Sequence, residues 1–241
     1  MSALAILEAG APGLAASAPD RLARLARTAA PILNRVVLGG TIALELLLDD
    51  PGVRIPRLNF AEDSVFQLLS TSMIDRLGQD LQKAGFSRVS RGDRSDRWQD
   101  GHAVTVDLVQ VETDSSTPRQ LSLEYATLLT HTLSPDSAPP VRCAAAPAVL
   151  AVECASVLPG VASPLESEEL ERIVHLIAGR RDTERECLAA PAELRAIITP
   201  CLAALAASDA LHVLLRRALP DAAALPALVT RVRDRIAAMA C

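Results

Sequence analysis

The sequence predicts an α+β protein: a mixed sheet with flanking helices, followed by an all-helical C-terminal part. Three observations carry this. Short apolar runs bounded by turn residues alternate with amphipathic stretches in the first half. The segment Ser134–Pro140 then holds three prolines and reads as a linker or long loop. Beyond Ala144 the apolar residues keep helical spacing, and prolines 191, 200, 220 and 226 punctuate the run. The expected division is 1–134 for the α/β core with its N-terminal helices and 141–241 for a helical domain.

In chain order, Met1 to Ala30 reads as helical, with Ser17, Pro19 and Asp20 as a start signal and Leu22, Leu25 and Ala29 at helical spacing. Arg35–Leu38 is a short apolar strand ending at Gly39-Gly40, and Thr41–Leu48 a helix. Asp49-Asp50-Pro51-Gly52 is a turn by composition. Arg57–Ala61 reads as a second short strand. Asp63 or Ser64 is then placed to cap a helix carrying Val65, Leu68, Leu69, Met73, Leu77 and Leu81 and ending at Gly85. Phe86–Arg91 and Asp93–Gln99 read as extended, Asp100-Gly101 as a hairpin turn and Val104–Val109 as the strongest strand. Leu121–Leu133, rich in Thr, Leu and Tyr, reads as strand. Ala146–Leu158 reads as a helix, and Ser163-Pro164-Leu165-Glu166 as the capped start of another. Further helices are expected around 191–206, 208–218 and 221–240.

Composition narrows the function classes. Half of the 241 residues are hydrophobic but only 2% are aromatic, so the core is built from Leu, Ala, Val and Ile, and few rings exist for base stacking. The net charge of −5 gives no general pull toward nucleic acid or an anionic membrane, and nucleic acid is not an expected partner. The five cysteines show no C-x-x-C spacing and the four histidines no H-x-H or H-E-x-x-H spacing, so no metal site is expected from them. Cys154 and Cys187 read as small core residues. No apolar run is long enough for a membrane span and no signal peptide is visible, so a cytoplasmic protein with reduced thiols is the expectation.

The order strand, Gly39-Gly40, helix, short strand, long helix ending Ala84-Gly85-Phe86, hairpin, strand with a central Asp107 resembles the nucleotidyltransferase superfamily, in particular its AbiEii-type, toxin-like branch. In that branch an opening like "VVLGGTIALEL" is followed by a paired-acid strand and later by "V-D-L", here Val106-Asp107-Leu108. The likeness covers Val36–Val109, and more loosely extends to about residue 180 through the helix "APAVLAVECASVL". It implies Gly39, Gly40 and Thr41 as the nucleotide-binding turn and Asp107 as the third, catalytic carboxylate. The chemistry needs hard oxygen ligands for two divalent cations on the triphosphate. Arg57 and Asn59 stand at the expected acid pair. Asn offers one neutral oxygen, and Arg offers none and repels a cation. Glu62 and Asp63 would sit about 10 Å too far along a strand rising roughly 3.3 Å per residue. The position that is often lysine in the later helix is Glu153.

Two function classes follow. One is a nucleotidyltransferase-fold protein that has lost metal-dependent transfer and acts as a binding or assembly module, its apolar C-terminal helices suited to a homodimer or a protein partner. The other is an active transferase moving a nucleotide from an NTP to an unknown acceptor through a displaced metal site; Mg²⁺ and NTP are expected only in that case. Asp107 in an apolar strand must face solvent, a partner or a cleft, and Arg57 is its expected partner. Asp93, Asp96 and Asp100 among Arg91, Arg94 and Arg97 read as a solvated hairpin.

Overall fold

The computed structural model describes residues 18–50, 65–92, 95–101, 104–113, 117–157, 167–208, 211–219 and 225–240. Helix α1 (Ala18–Thr28) and a 3-10 turn (Ala30–Arg35) lead into β1 (Val37–Gly39) and α2 (Gly40–Leu47). After β2 (Val65–Ser70) and α3 (Ile74–Lys83) come β3 (Ser87–Arg91), β4 (Ser95–Gln99) and β5 (Thr105–Gln110). Helix α4 (Pro118–Leu128) precedes β6 (Thr130–Leu133) and β7 (Val141–Ala144). Six helices follow: α5 (Ala146–Val157), α6 (Glu168–Gly179), α7 (Thr183–Leu188), α8 (Ala192–Ala206), α9 (Leu211–Ala218) and α10 (Leu225–Met239).

The strands form one seven-stranded mixed sheet in the order β3-β4-β5-β2-β1-β7-β6. β2 runs antiparallel to β1 and parallel to β5, and β7 lies parallel to β1 on the other side. Neighbouring residues along a strand face opposite ways, so the sheet separates two cores. Leu38, Phe66, Leu68, Val106 and Leu108 point to one side and pack with α1 and α3 through Leu25, Leu77 and Leu81. Val37 and Leu69 point to the other and join the core of α5, α6, α8, α9 and α10, with Leu150, Ile173, Ile177, Leu202 and Ile236. The mixed sheet with flanking helices and a helical C-terminal part is the expected fold class.

Several elements differ from expectation. Residues 65–70 are strand, not the start of the helix. Phe66 and Leu68 are buried with Gln67 exposed between them, a two-residue alternation that Val65, Leu68 and Leu69 disguise as helical spacing. Helix α3 therefore begins only at Ile74. Leu121–Leu133 is mostly helix: Thr117 caps α4 by accepting from Gln120 N, Pro118 opens the first turn, and only Thr130–Leu133 is strand. Ser134–Pro140 connects β6 to β7, antiparallel neighbours in the sheet, and β7 itself was not foreseen. The cap of α6 is Ser167, whose side chain accepts from Leu170 N; residues 163–166 lie outside the described residues, as does the expected strand 57–61. Asp96 and Asp100 are 1% and 8% exposed, not solvated. Asp100 accepts from Val104 N at 2.7 Å and so closes the β4–β5 turn. Asp93 and Arg94 lie outside the described residues.

The end of α2 is tied to the end of α6. The amides of Asp49 and Asp50 both donate to Gly179 O at 2.9 Å, and Arg180 pairs with Asp49 at 2.8 Å. Arg235 of α10 donates to the carbonyls of Ile177, Arg180 and Arg181. No single helix among the described residues is long and apolar enough to cross a membrane.

Candidate functional site

The strand-to-helix turn after β1 is built on glycine for a local reason. Gly40 has φ +68°, a left-handed conformation that L side chains rarely adopt. A Cβ there would also stand 2.6 Å from Gln67 Oε1. A Cβ on Gly39 would meet Leu69 Cδ1 at 3.0 Å. The glycine pair is thus closely covered by two side chains of β2.

The register then places one row of residues across the sheet. Gly39 lies opposite Gln67, Gln67 opposite Asp107, Asp107 opposite Arg97, and Arg97 opposite Ser90. Residues directly opposite in a ladder project to the same face. Asp107 is held on that face by Arg97, whose Nε and Nη2 each donate to a carboxylate oxygen at 2.8 Å. Those hydrogen bonds, and then the charge of Asp107, raise the Arg97 pKa above its usual value. Among the described residues the partner of Asp107 is Arg97 on the adjacent strand. Arg57 and Asn59 lie outside the described residues. The residue in register with Asp107 on the strand beside the glycine turn is Gln67, a neutral amide.

Beside this row lies a cleft of about 230 Å³. Gly39, Gly40, Thr41 and Gln67 form one wall, and Arg119, Glu153 and Arg172 the other, over an apolar floor that includes Leu69 and Val149. Asp107 is not part of the lining. Arg172 is enclosed by acids: Glu153 at 3.0 Å, Glu169 at 3.3 Å and Glu168 at 3.4 Å. Burial raises the Glu153 carboxyl above its usual range, and the facing Arg172 works against the rise. Arg172 is held up in turn: burial lowers its pKa, but the charge of Glu153 and its neighbours outweighs that. Its charge is already matched, which leaves Arg119 as the cation in the lining that makes no ion pair among the described residues.

Of the expected site residues, the structure brings Gly39, Gly40 and Thr41 to one cleft with Glu153, and places Asp107 in the same cross-sheet row but outside that cleft. Sequence reasoning missed Gln67, Arg97, Arg119 and Arg172. The alternation of Phe66, Gln67 and Leu68 was the signal that could have found the first. Among the described residues no three His, Cys, Asp or Glu side chains converge to hold a metal ion. Cys154 and Cys187 are buried in the C-terminal core, and burial pushes the Cys187 thiol up to about 12, which leaves no thiolate for nucleophilic work at neutral pH.

No family model matches this chain, and no curated protein matches it. Among solved structures it is similar to the crystal structure of an antigenic nucleotidyltransferase-like protein from Paracoccidioides brasiliensis. The two are 19% identical, the alignment covers 88% of this chain and 93% of that one, and the TM-score is 0.45.

Proposed function

We propose that this chain is a nucleotidyltransferase-fold protein, of the AbiEii-like kind, that has lost metal-dependent nucleotidyl transfer and serves as a binding or assembly module. The observation that carries the reading is the row Gly39–Gln67–Asp107–Arg97. Two-metal phosphoryl transfer needs several carboxylates converging on the cations. Here the one acid in the row is neutralised by a two-pronged guanidinium, and its in-register neighbour is an amide. Among the described residues none form a two-cation cage. The cleft supports the same reading: its glycines are covered by Gln67 and Leu69, its Arg172 is saturated by acids, and its volume lies below the roughly 300–1,000 Å³ of pockets that enclose drug-sized ligands.

The test is calorimetric titration of ATP, GTP, CTP and UTP into the full chain, with and without Mg²⁺ or Mn²⁺, followed by transfer assays with labelled nucleotide. The expected outcome is no metal-dependent binding and no transfer. Mg²⁺-dependent binding that disappears in Asp107→Ala, together with label transfer, would overturn the proposal in favour of an active transferase.

A further inference from the structure

A second concavity, of about 700 Å³, lies on the opposite flank of the sheet, where β3 forms the edge. One wall is a single face of α3, with Asp75, Gln79 and Gln82 at i, i+4 and i+7; the other is Ser87, Arg88 and Arg91 of β3. All five residues of β3 are exposed, Val89 at 57%. β3 pairs only with β4, so among the described residues its outer edge has no strand beside it. We infer that this groove takes an extended acidic segment of a partner protein, which adds as a strand to the free edge of β3 under α3.

The geometry is that of strand addition. A strand needs about 4.8 Å of lateral room and a row of unpaired backbone groups to bond to. A flanking helix then supplies side-chain contacts for the residues that point upward. The charges choose the occupant. Arg88 reaches Asp96 only at 3.4 Å, and Arg91 reaches Asp75 only at 3.6 Å. Both side chains are substantially exposed, 43% and 65%. Arg91, paired only loosely with an exposed acid, can turn toward an incoming carboxylate, while Arg88 stays between buried Asp96 and the Trp98 ring and adds its charge to the groove. Asp75 sits in the same groove and excludes an acid next to itself, so the acidic positions are expected opposite Arg88 and Arg91. A second copy of β3 is the poorer occupant, because pairing two Ser-Arg-Val-Ser-Arg strands gathers four arginines along one seam. The register shift between Arg88 and Ser90 adds to that protection against self-pairing.

The probe is a phage-displayed library of random octapeptides, selected on the full chain and, in parallel, on the Arg88→Gln/Arg91→Glu variant. Arg91→Glu alone serves as a second variant, since the ion-pair partner of Arg91 among the described residues is the exposed Asp75. The expected result is enrichment of Asp and Glu at alternating positions on the wild type and not on the double variant. A synthetic peptide of the selected sequence should change the fluorescence of Trp98, the only tryptophan, which lines the groove. It should slow amide exchange in β3 and bind Arg91→Glu more weakly by about ten-fold. Enrichment without acids, or equal selection on the variants, overturns the inference. So does a selected peptide that leaves β3 exchange unchanged. Concentration-dependent dimerisation abolished by Arg91→Glu would assign the edge to a second copy and overturn it as well.

Discussion

Arg97 and Asp107 stand directly opposite each other on β4 and β5 and share two parallel hydrogen bonds of 2.8 Å. Both carboxylate oxygens of Asp107 are thereby engaged by one side chain. The Arg97 side chain is 46% exposed, so solvent screens the pair and its coupling is small, about 0.5 kcal/mol. A double-mutant cycle with Arg97→Gln and Asp107→Asn, followed by urea unfolding, should return a coupling of that order, shrinking in 1 M salt at a Debye length of about 3 Å. Releasing the acid should restore nothing: Arg97→Ala is expected to show no calorimetric Mg²⁺ binding, because Gln67 beside it supplies only a neutral oxygen.

Gly40 is constrained twice, by its φ of +68° and by Gln67 Oε1, 2.6 Å from where a Cβ would stand. Gly40→Ala should therefore cost about 1–3 kcal/mol in urea unfolding. The two causes separate in a second background. Against Gln67→Ala the clash is gone and only the dihedral strain remains, so the cost of Gly40→Ala should fall but not vanish. An unchanged cost would show that Gln67 turns aside freely and does not cover the turn.

The fold class was legible because sheet and bundle use different periods; Ser134–Pro140, which reads as the break between them, instead joins β6 to β7 within the sheet. The site was only half legible. Gly39-Gly40 and Asp107 are visible as residue types, but the row that gives them meaning depends on which strand lies between β1 and β5. Val65, Leu68 and Leu69 satisfy helical spacing as well as they satisfy a strand buried on both faces, with Leu68 toward one core and Leu69 toward the other. That ambiguity put residues 65–70 into the expected helix and hid Gln67. Arg97 was hidden differently. It lies in a mixed-charge run that reads as solvated, whereas β4 alternates buried Asp96 and Trp98 with exposed Ser95, Arg97 and Gln99. Long-range partners such as Arg172 with Glu153 leave no local pattern.

Arg235 closes the last turn of α6. Its Nη1 donates to Ile177 O at 2.7 Å and Arg180 O at 3.1 Å, and its Nη2 to Arg181 O at 3.0 Å. These are carbonyls at and just past the helix end, where Arg180 O also accepts from Thr183 Oγ1, and a cation there meets the negative end of the helix dipole. Arg235→Ala should lower stability by about 1–2 kcal/mol, and Arg235→Lys should recover only part of it, since an ammonium cannot match the fork across three acceptors. Thermal melting of the three proteins at one salt concentration decides this; full recovery by lysine would reduce the role of Arg235 to its charge.

Glu153 and Glu169 flank the same Arg172 but are shifted in opposite directions, which makes their pH windows separable. Burial raises Glu153 above its ordinary 4.5, so the folded protein binds that proton more tightly than the unfolded chain. Stability from this group is therefore fully present below pH 4.5 and declines as the pH rises through the raised folded value. Glu169 is lowered, chiefly by the hydrogen bond from Ser167 and then by its own backbone, so its contribution is present above pH 4.5 and is lost as the pH falls through its lowered folded value. Urea unfolding from pH 3 to 8 should then show that Glu153→Gln removes a downward slope above pH 4.5 and leaves the acid limb intact. Arg172→Met should do the reverse. With its partner gone, the carboxyl at 9% side-chain exposure is left unpaired, its pKa rises further, and the downward slope extends to higher pH. The expected cost at neutral pH is about 3 kcal/mol, and it should shrink toward pH 4.5 as Glu153 takes up its proton. A loss from Arg172→Met that stays constant between pH 4.5 and 8 would mean that Glu153 is solvated in the fold and that the pair does not organise the cleft wall.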